Sequence, residues 1–267
     1  LVLIPGREHG EYLLFCRERD AEQEVWHGRR AGLAGARKSY GADDAFPITD
    51  IDEILPGLLE NRDKVFYIMG VDHDFDRQLM EWINRLRKKS RSGVQTPAEF
   101  VALEHTLHDM RLHKSVAEIK AMRKAARIAA HAHCRAMQQC RAGLLEYQLE
   151  AELLHEFALH GARYAAYPTI VRGGENGCIL HYTENSDPLR SGDLVLIDAG
   201  CVYEGYAADI TRTFPISGSF SDAQRALYQL VLDAQYAAIA EVQPGHHWNA
   251  PHEAAIKSLT GGLLKLG

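Results

Sequence analysis

Apolar residues recur along this chain with two different periods. Short runs at residues 1–4, 12–16 and 65–69 are rich in branched and aromatic side chains and predict strands. Phe75, Leu79, Trp82, Ile83 and Leu86 recur at helical spacing and predict a helix over residues 75–89. Strands interleaved with helices imply an α/β layer. The basic run at residues 85–91 reads as the solvated end of that helix, and residues 90–97 as a loop. A change of pattern near residues 111–114 marks a domain boundary. Ser115-Val-Ala-Glu118 is a capping-box sequence that opens a long alanine-rich helix reaching Cys140, which Gly143 can stop. A second helix is expected over residues 145–159, with Gly161 past its end. Residues 168–213 turn β-rich and glycine-punctuated, and Ser221 caps a helix to Glu241 that Pro244-Gly245 breaks. Helices packed on a curved antiparallel sheet, an α+β architecture, is the expectation for this second part. No internal repeat is visible.

Two aspartates interrupt the apolar strand text, in Val195-Leu-Ile-Asp198-Ala-Gly200 and Ala208-Asp209-Ile-Thr-Arg-Thr213. A carboxylate in apolar surroundings needs a cation, a metal or dense hydrogen bonding. The intervening residues 201–206 read as a hairpin with its turn at Glu204-Gly205. Across a two-residue turn, residues on one face keep an odd sum, and 198 and 209 obey that parity. Both carboxylates therefore point to one face, close enough to share divalent ions. Thr211 and Thr213 follow on that face and are candidates to hydrogen-bond the ligands.

The 267-residue length favours two domains. A formal net charge of −6 gives no reason to expect nucleic acid as a partner. No apolar run is long enough to span a membrane, and the N-terminus lacks the zones of a signal peptide. Five scattered cysteines without a CxxC spacing argue against a disulfide framework or zinc ribbon and fit a reducing, cytoplasmic setting. The strand-like opening at Leu1 and the close at Gly267 suggest a piece of a longer protein, truncated at both ends.

Asn176-Gly-Cys-Ile-Leu-His181-Tyr-Thr-Glu-Asn185, Gly192-Asp-Leu-Val-Leu-Ile-Asp198-Ala-Gly200 and Asp209-Ile-Thr-Arg-Thr-Phe214 together resemble the pita-bread metallopeptidases, most closely the bacterial Xaa-Pro aminopeptidases (aminopeptidase P). The resemblance extends through residues 161–170 and back to Trp26-His-Gly-Arg-Arg30. It implies residues 1–112 as the C-terminal part of an α/β N-terminal domain, and residues 113–267 as the first portion of an incomplete pita-bread catalytic domain. The implied activity is metal-dependent hydrolysis of the N-terminal Xaa-Pro bond, in a cytoplasmic homo-oligomer, dimer or tetramer, without membrane or nucleic-acid partners. Prolidase action on Xaa-Pro dipeptides and a non-catalytic peptide-binding module are the alternatives.

The resemblance further implies two divalent ions, Mn²⁺ being the expected metal, with Asp198 on one and Asp209 bridging both. The family's remaining ligands, one histidine and two glutamates, correspond to positions after Gly267, and residues 1–267 alone are expected to be inactive. His181 matches the histidine that donates a hydrogen bond to the substrate carbonyl or tetrahedral intermediate. Trp26 matches a tryptophan that reaches a neighbouring subunit's site in tetrameric relatives, and Tyr167 a residue near the metals. Among other histidines, His131 and His133 lie two apart on a helix and face different directions. His246, His247 and His252 read as a solvated helix start.

Overall fold

In the computed structural model, which describes residues 1–267, the chain divides into two units, Leu1–His113 and Lys114–Gly267. The first alternates the two periods as expected: β1 (Val2–Leu3), β2 (Tyr12–Cys16), α1 (Ala21–His27), α2 (Gly32–Tyr40), β3 (Asp44–Pro47), α3 (Ile51–Leu59), β4 (Lys64–Tyr67), α4 (His73–Lys88), β5 (Glu99–Ala102) and α5 (Leu103–Leu112). β2 pairs antiparallel with β1 and parallel with β3, while β4 and β5 form a separate parallel pair. The stripe read from sequence on α4 is the buried one, with Leu79, Trp82, Ile83 and Leu86 inside and Phe75 half-buried against them. Trp82 satisfies its indole N–H by donating to Asp52 Oδ1 at 2.7 Å, which lets the whole ring be buried. α5 carries Leu103, Leu107 and Met110 at helical spacing, yet none of its residues is buried.

The second unit opens with α6 (Val116–Gln139) and α7 (Glu146–Leu159). The capping box at Ser115 forms in both directions: the Ser115 N–H donates to Glu118 at 2.6 Å and the Glu118 N–H to the Ser115 hydroxyl at 3.3 Å. α6 ends before Gly143, at Cys140, whose extended backbone leaves the helix. There follow β6 (Tyr164–Ala165), β7 (Ile170–Gly173), β8 (Leu194–Ala199), β9 (Cys201–Tyr203), β10 (Tyr206–Ala207), β11 (Ile210–Pro215), α8 (Asp222–Ala240) and α9 (Ala250–Leu266). β8–β9 and β10–β11 are the two arms of one hairpin, interrupted at Gly200. Its turn falls at Glu204-Gly205, with φ of 49° and 83°, the left-handed pair that matches the twist of a two-residue hairpin. At Gly200 the arms close in so tightly that a Cβ would lie 1.7 Å from the Ala208 carbonyl oxygen, so only glycine fits.

The third strand is β6 and β7, antiparallel to the same arm. Val195, Ile197 and Ala199 alternate into one core with Ala125, Ile128, Ala129, Ala132, Leu149, Leu153 and Phe157 of the two helices. By the same alternation Leu194, Leu196 and Asp198 face away from the helices. That opposite face is open: Asp198 is half-buried and Asp209 exposed, so the apolar enclosure expected for both carboxylates from their flanking residues does not hold for Asp209. The flanking apolar residues serve the other face of the sheet.

Candidate metal centre

Asp198 is the penultimate residue of β8, opposite Thr211 on one neighbour and Ile170 on the other. Asp209 immediately precedes β11 and lies diagonally across the hairpin from it, on the same face. The third strand supplies the link between them. Ala165 pairs with Cys201 and Ile170 with Asp198, so five steps on one strand span three on the other, and the surplus bulges out at residues 166–169. Tyr167 sits in this bulge. Its hydroxyl lies 2.6 Å from Asp198 Oδ1 and 2.9 Å from Asp209 Oδ1. Burial, and then the two carboxylates, push the Tyr167 phenol well above its ordinary range, so it remains protonated.

One hydroxyl carries one proton and can donate to only one carboxylate at a time. Arg135, which pairs with Glu152 and Glu156, is the arginine of this unit that forms carboxylate ion pairs, and neither Asp198 nor Asp209 has such a partner. Two carboxylate oxygens thus converge on one hydroxyl with no cationic side chain paired to either aspartate, a donor set that suits a divalent cation. Thr211 is exposed beside Asp198 and hydrogen-bonds neither aspartate through its side chain.

Behind the strand end stands a residue that the sequence singled out only for its direction. His133 on α6 points inward, 2% exposed, with Nε2 3.3 Å from the Ala199 carbonyl oxygen. Desolvation lowers its pKa, favouring the neutral ring. His131, two positions earlier, is exposed.

His181 lies in the segment between β7 and β8, exposed, with no hydrogen bond to Asp198 or Asp209. What holds that segment was missed in the sequence. Glu146, the first residue of α7 and 0% exposed, accepts four hydrogen bonds: Gly173 N–H at 2.7 Å, Asn176 Nδ2 at 3.1 Å, the Tyr182 hydroxyl at 2.7 Å and Asp187 N–H at 3.1 Å. Asn185, with φ of 48°, accepts from Val171 N–H and donates to the Thr169 carbonyl and Glu150. His181 is therefore flanked by a residue tied to a buried carboxylate. In sequence a glutamate in a first helical turn reads simply as favourable to the helix dipole. Trp26 belongs to the first unit, on α1, and the residue is 77% exposed.

Two neighbouring carboxylates on the open face of a helix-backed antiparallel sheet define a candidate divalent-metal centre. Residues 120–266 match the profile of Metallopeptidase family M24, and residues 1–67 that of Aminopeptidase P, N-terminal domain. The chain belongs to the M24 metallopeptidase family, and its second unit has the architecture of part of that family's pita-bread catalytic domain. It is similar to the Xaa-Pro aminopeptidase of Escherichia coli strain K12, with 45% identity over 268 residues, covering 100% of this chain and 61% of that protein. The structure of Pseudomonas aeruginosa aminopeptidase PepP superimposes with a TM-score of 0.96 at 60% identity, covering 99% of this chain and 60% of the other. Zinc-substituted Escherichia coli aminopeptidase P in complex with product gives a TM-score of 0.91 at 45% identity, covering 95% and 58%. The chain thus spans about three fifths of the length of these relatives.

Proposed function

We propose that this chain forms the N-terminal domain region and the first part of the catalytic domain of a metal-dependent Xaa-Pro aminopeptidase, which removes the N-terminal residue from peptides with proline second. The observation that carries this reading is the convergence of Asp198 and Asp209 on the Tyr167 hydroxyl in a family M24 fold. Asp198 would hold one divalent ion and Asp209 would bridge two. Bound there, such ions would make a water nucleophilic near neutral pH and neutralise charge on the carbonyl oxygen. His181 is free of other hydrogen-bond partners and available to donate to that oxygen. The Tyr167 phenol keeps its proton at neutral pH and can orient an oxygen between the two carboxylates.

Selection for proline follows from its chemistry, since its tertiary amide offers no N–H and its φ is fixed. A site that does not grip the peptide through that N–H accepts it. Manganese as the metal fits the all-oxygen donors of Asp198 and Asp209. A cytoplasmic location fits the five free cysteines. Homo-oligomerisation, dimer or tetramer, fits the exposed Trp26 indole, which would contact a neighbouring subunit.

The test uses the full-length protein and an Xaa-Pro-Yaa tripeptide. Cleavage should disappear in chelator and return with Mn²⁺; activity that survives chelation would end the metal mechanism. Preference for the Xaa-Pro dipeptide over the tripeptide would identify a prolidase instead. Asp209→Ala should remove Mn²⁺ binding measured by calorimetry, while His181→Ala should retain it and lose roughly 10²-fold or more in kcat. Equal metal loss in both variants would make His181 a ligand or a structural residue.

A further inference from the structure

The exposed surface of the α6–α7 pair carries a second group of metal-binding side chains, on the opposite side of the sheet from the face that presents Asp198. His131 on α6, Glu156 on α7 and His160 at the C-terminal cap of α7 each offer one ligand atom, and these atoms lie within 4.8 Å of one another. We propose that His131, Glu156 and His160 form a binding site for a borderline divalent transition ion such as Zn²⁺, separate from the aspartate pair, in which the ion clips α6 to α7.

Three features of the fold support the assignment. The two helices are held rigidly by the buried residues between them, Ala125, Ala129 and Ala132 against Leu149, Leu153 and Phe157, so the ligand-bearing backbones are fixed in advance. Glu156 divides its carboxylate: Oε2 lies 3.8 Å from the Arg135 guanidinium, while Oε1 lies 2.8 Å from His160 Nε2 and faces the histidines. Arg135 is itself oriented by Glu152 at 2.6 Å, so it positions Glu156 without occupying Oε1. The His131 and His160 rings meet edge to face with centroids 6.1 Å apart, close enough for both to turn a nitrogen toward one ion. Drawing the donors in to metal–ligand lengths of about 2.0–2.2 Å requires only movement of exposed or half-buried side chains.

The donor chemistry selects the ion. Two imidazoles and one carboxylate suit Zn²⁺, Ni²⁺ or Cu²⁺, whereas Mg²⁺ and Ca²⁺ require more oxygens than the group contains. Three protein ligands leave one tetrahedral position to water. Because the ligands come from two helices, the bound ion would cross-link the layer on which β8 packs.

The probe is Zn²⁺ alone, added to chelator-stripped protein in which Asp198→Ala and Asp209→Ala remove the other site. That variant should bind one equivalent of Zn²⁺ and rise in Tm when the ion is present. Adding His160→Ala should abolish both effects. His131→Gln and Glu156→Gln should each weaken binding by roughly tenfold or more, and Co²⁺ substitution should give the visible absorption of a four-coordinate ion. No zinc retained at micromolar concentration would overturn the proposal, as would zinc retained equally after His160→Ala, which would point to adventitious binding at the His246, His247 and His252 cluster. All three ligands are exposed or half-buried, so these variants should fold, and circular dichroism verifies it.

Discussion

Glu146 accepts a 2.7 Å hydrogen bond from the Tyr182 hydroxyl, 36 positions further along the chain and next to His181. With Gly173, Asn176 and Asp187 also donating, this carboxylate organises the segment between β7 and β8. Glu146→Gln replaces an acceptor oxygen by an NH₂ group that must face an existing donor, at a cost of about 3 kcal/mol in unfolding free energy. Urea titration measures it. Under the proposed function, the same variant of the full-length protein should lower kcat through a displaced His181 while divalent-metal affinity stays unchanged; loss of metal binding instead would show that the segment supports the aspartates.

A cation bound between Asp198 and Asp209 would have to share their Oδ1 atoms with the Tyr167 hydroxyl, which lies within hydrogen-bond distance of both and donates to one at a time. Tyr167→Phe removes the hydroxyl, and a hydrogen bond to a charged group corresponds to roughly tenfold in affinity. Calorimetry should therefore show tighter divalent-metal binding in the variant. Weaker binding would mean that the hydroxyl helps to hold the loaded centre.

Gly200→Ala places a methyl 1.7 Å from the Ala208 carbonyl oxygen, a backbone atom that cannot move without parting the hairpin. Destabilisation of about 3 kcal/mol or more is expected. Asp209, the next residue after Ala208, should shift with it, so metal affinity should fall together with stability. A stable variant with normal metal binding would show that the hairpin tolerates wider spacing.

Acid stability contains a contribution from the α6 cap. The Tyr206 hydroxyl, followed by Ser115, holds the Glu118 carboxyl at about 2, below its ordinary 4.5. A depressed carboxyl stabilises the fold fully above the unfolded value, and the contribution is lost as pH falls from 4.5 toward 2. Glu118→Gln should flatten the stability profile in that window, followed by denaturant midpoints at several pH values. An unchanged acid slope would contradict the assignment.

The sequence alone determined the features that depend on neighbours along the chain. The Ser115 and Ser221 caps, the α4 stripe and the Glu204-Gly205 turn follow from short-range hydrogen bonding, periodicity and left-handed φ. The shared face of Asp198 and Asp209 followed too, because strand alternation carries across a turn of known length. Tertiary structure alone decided which partners meet over long separations. Tyr167 reaches its aspartates across 31 and 42 positions because of a two-residue surplus in its strand, and Glu146 reads in sequence as an ordinary first-turn glutamate. His131 and His160 come together only when α6 packs on α7, since neither helix's period specifies the rotation of one against the other. Exposure was decided at the same level: the apolar residues beside Asp209 cover the helix side of the sheet and leave the carboxylate in the open.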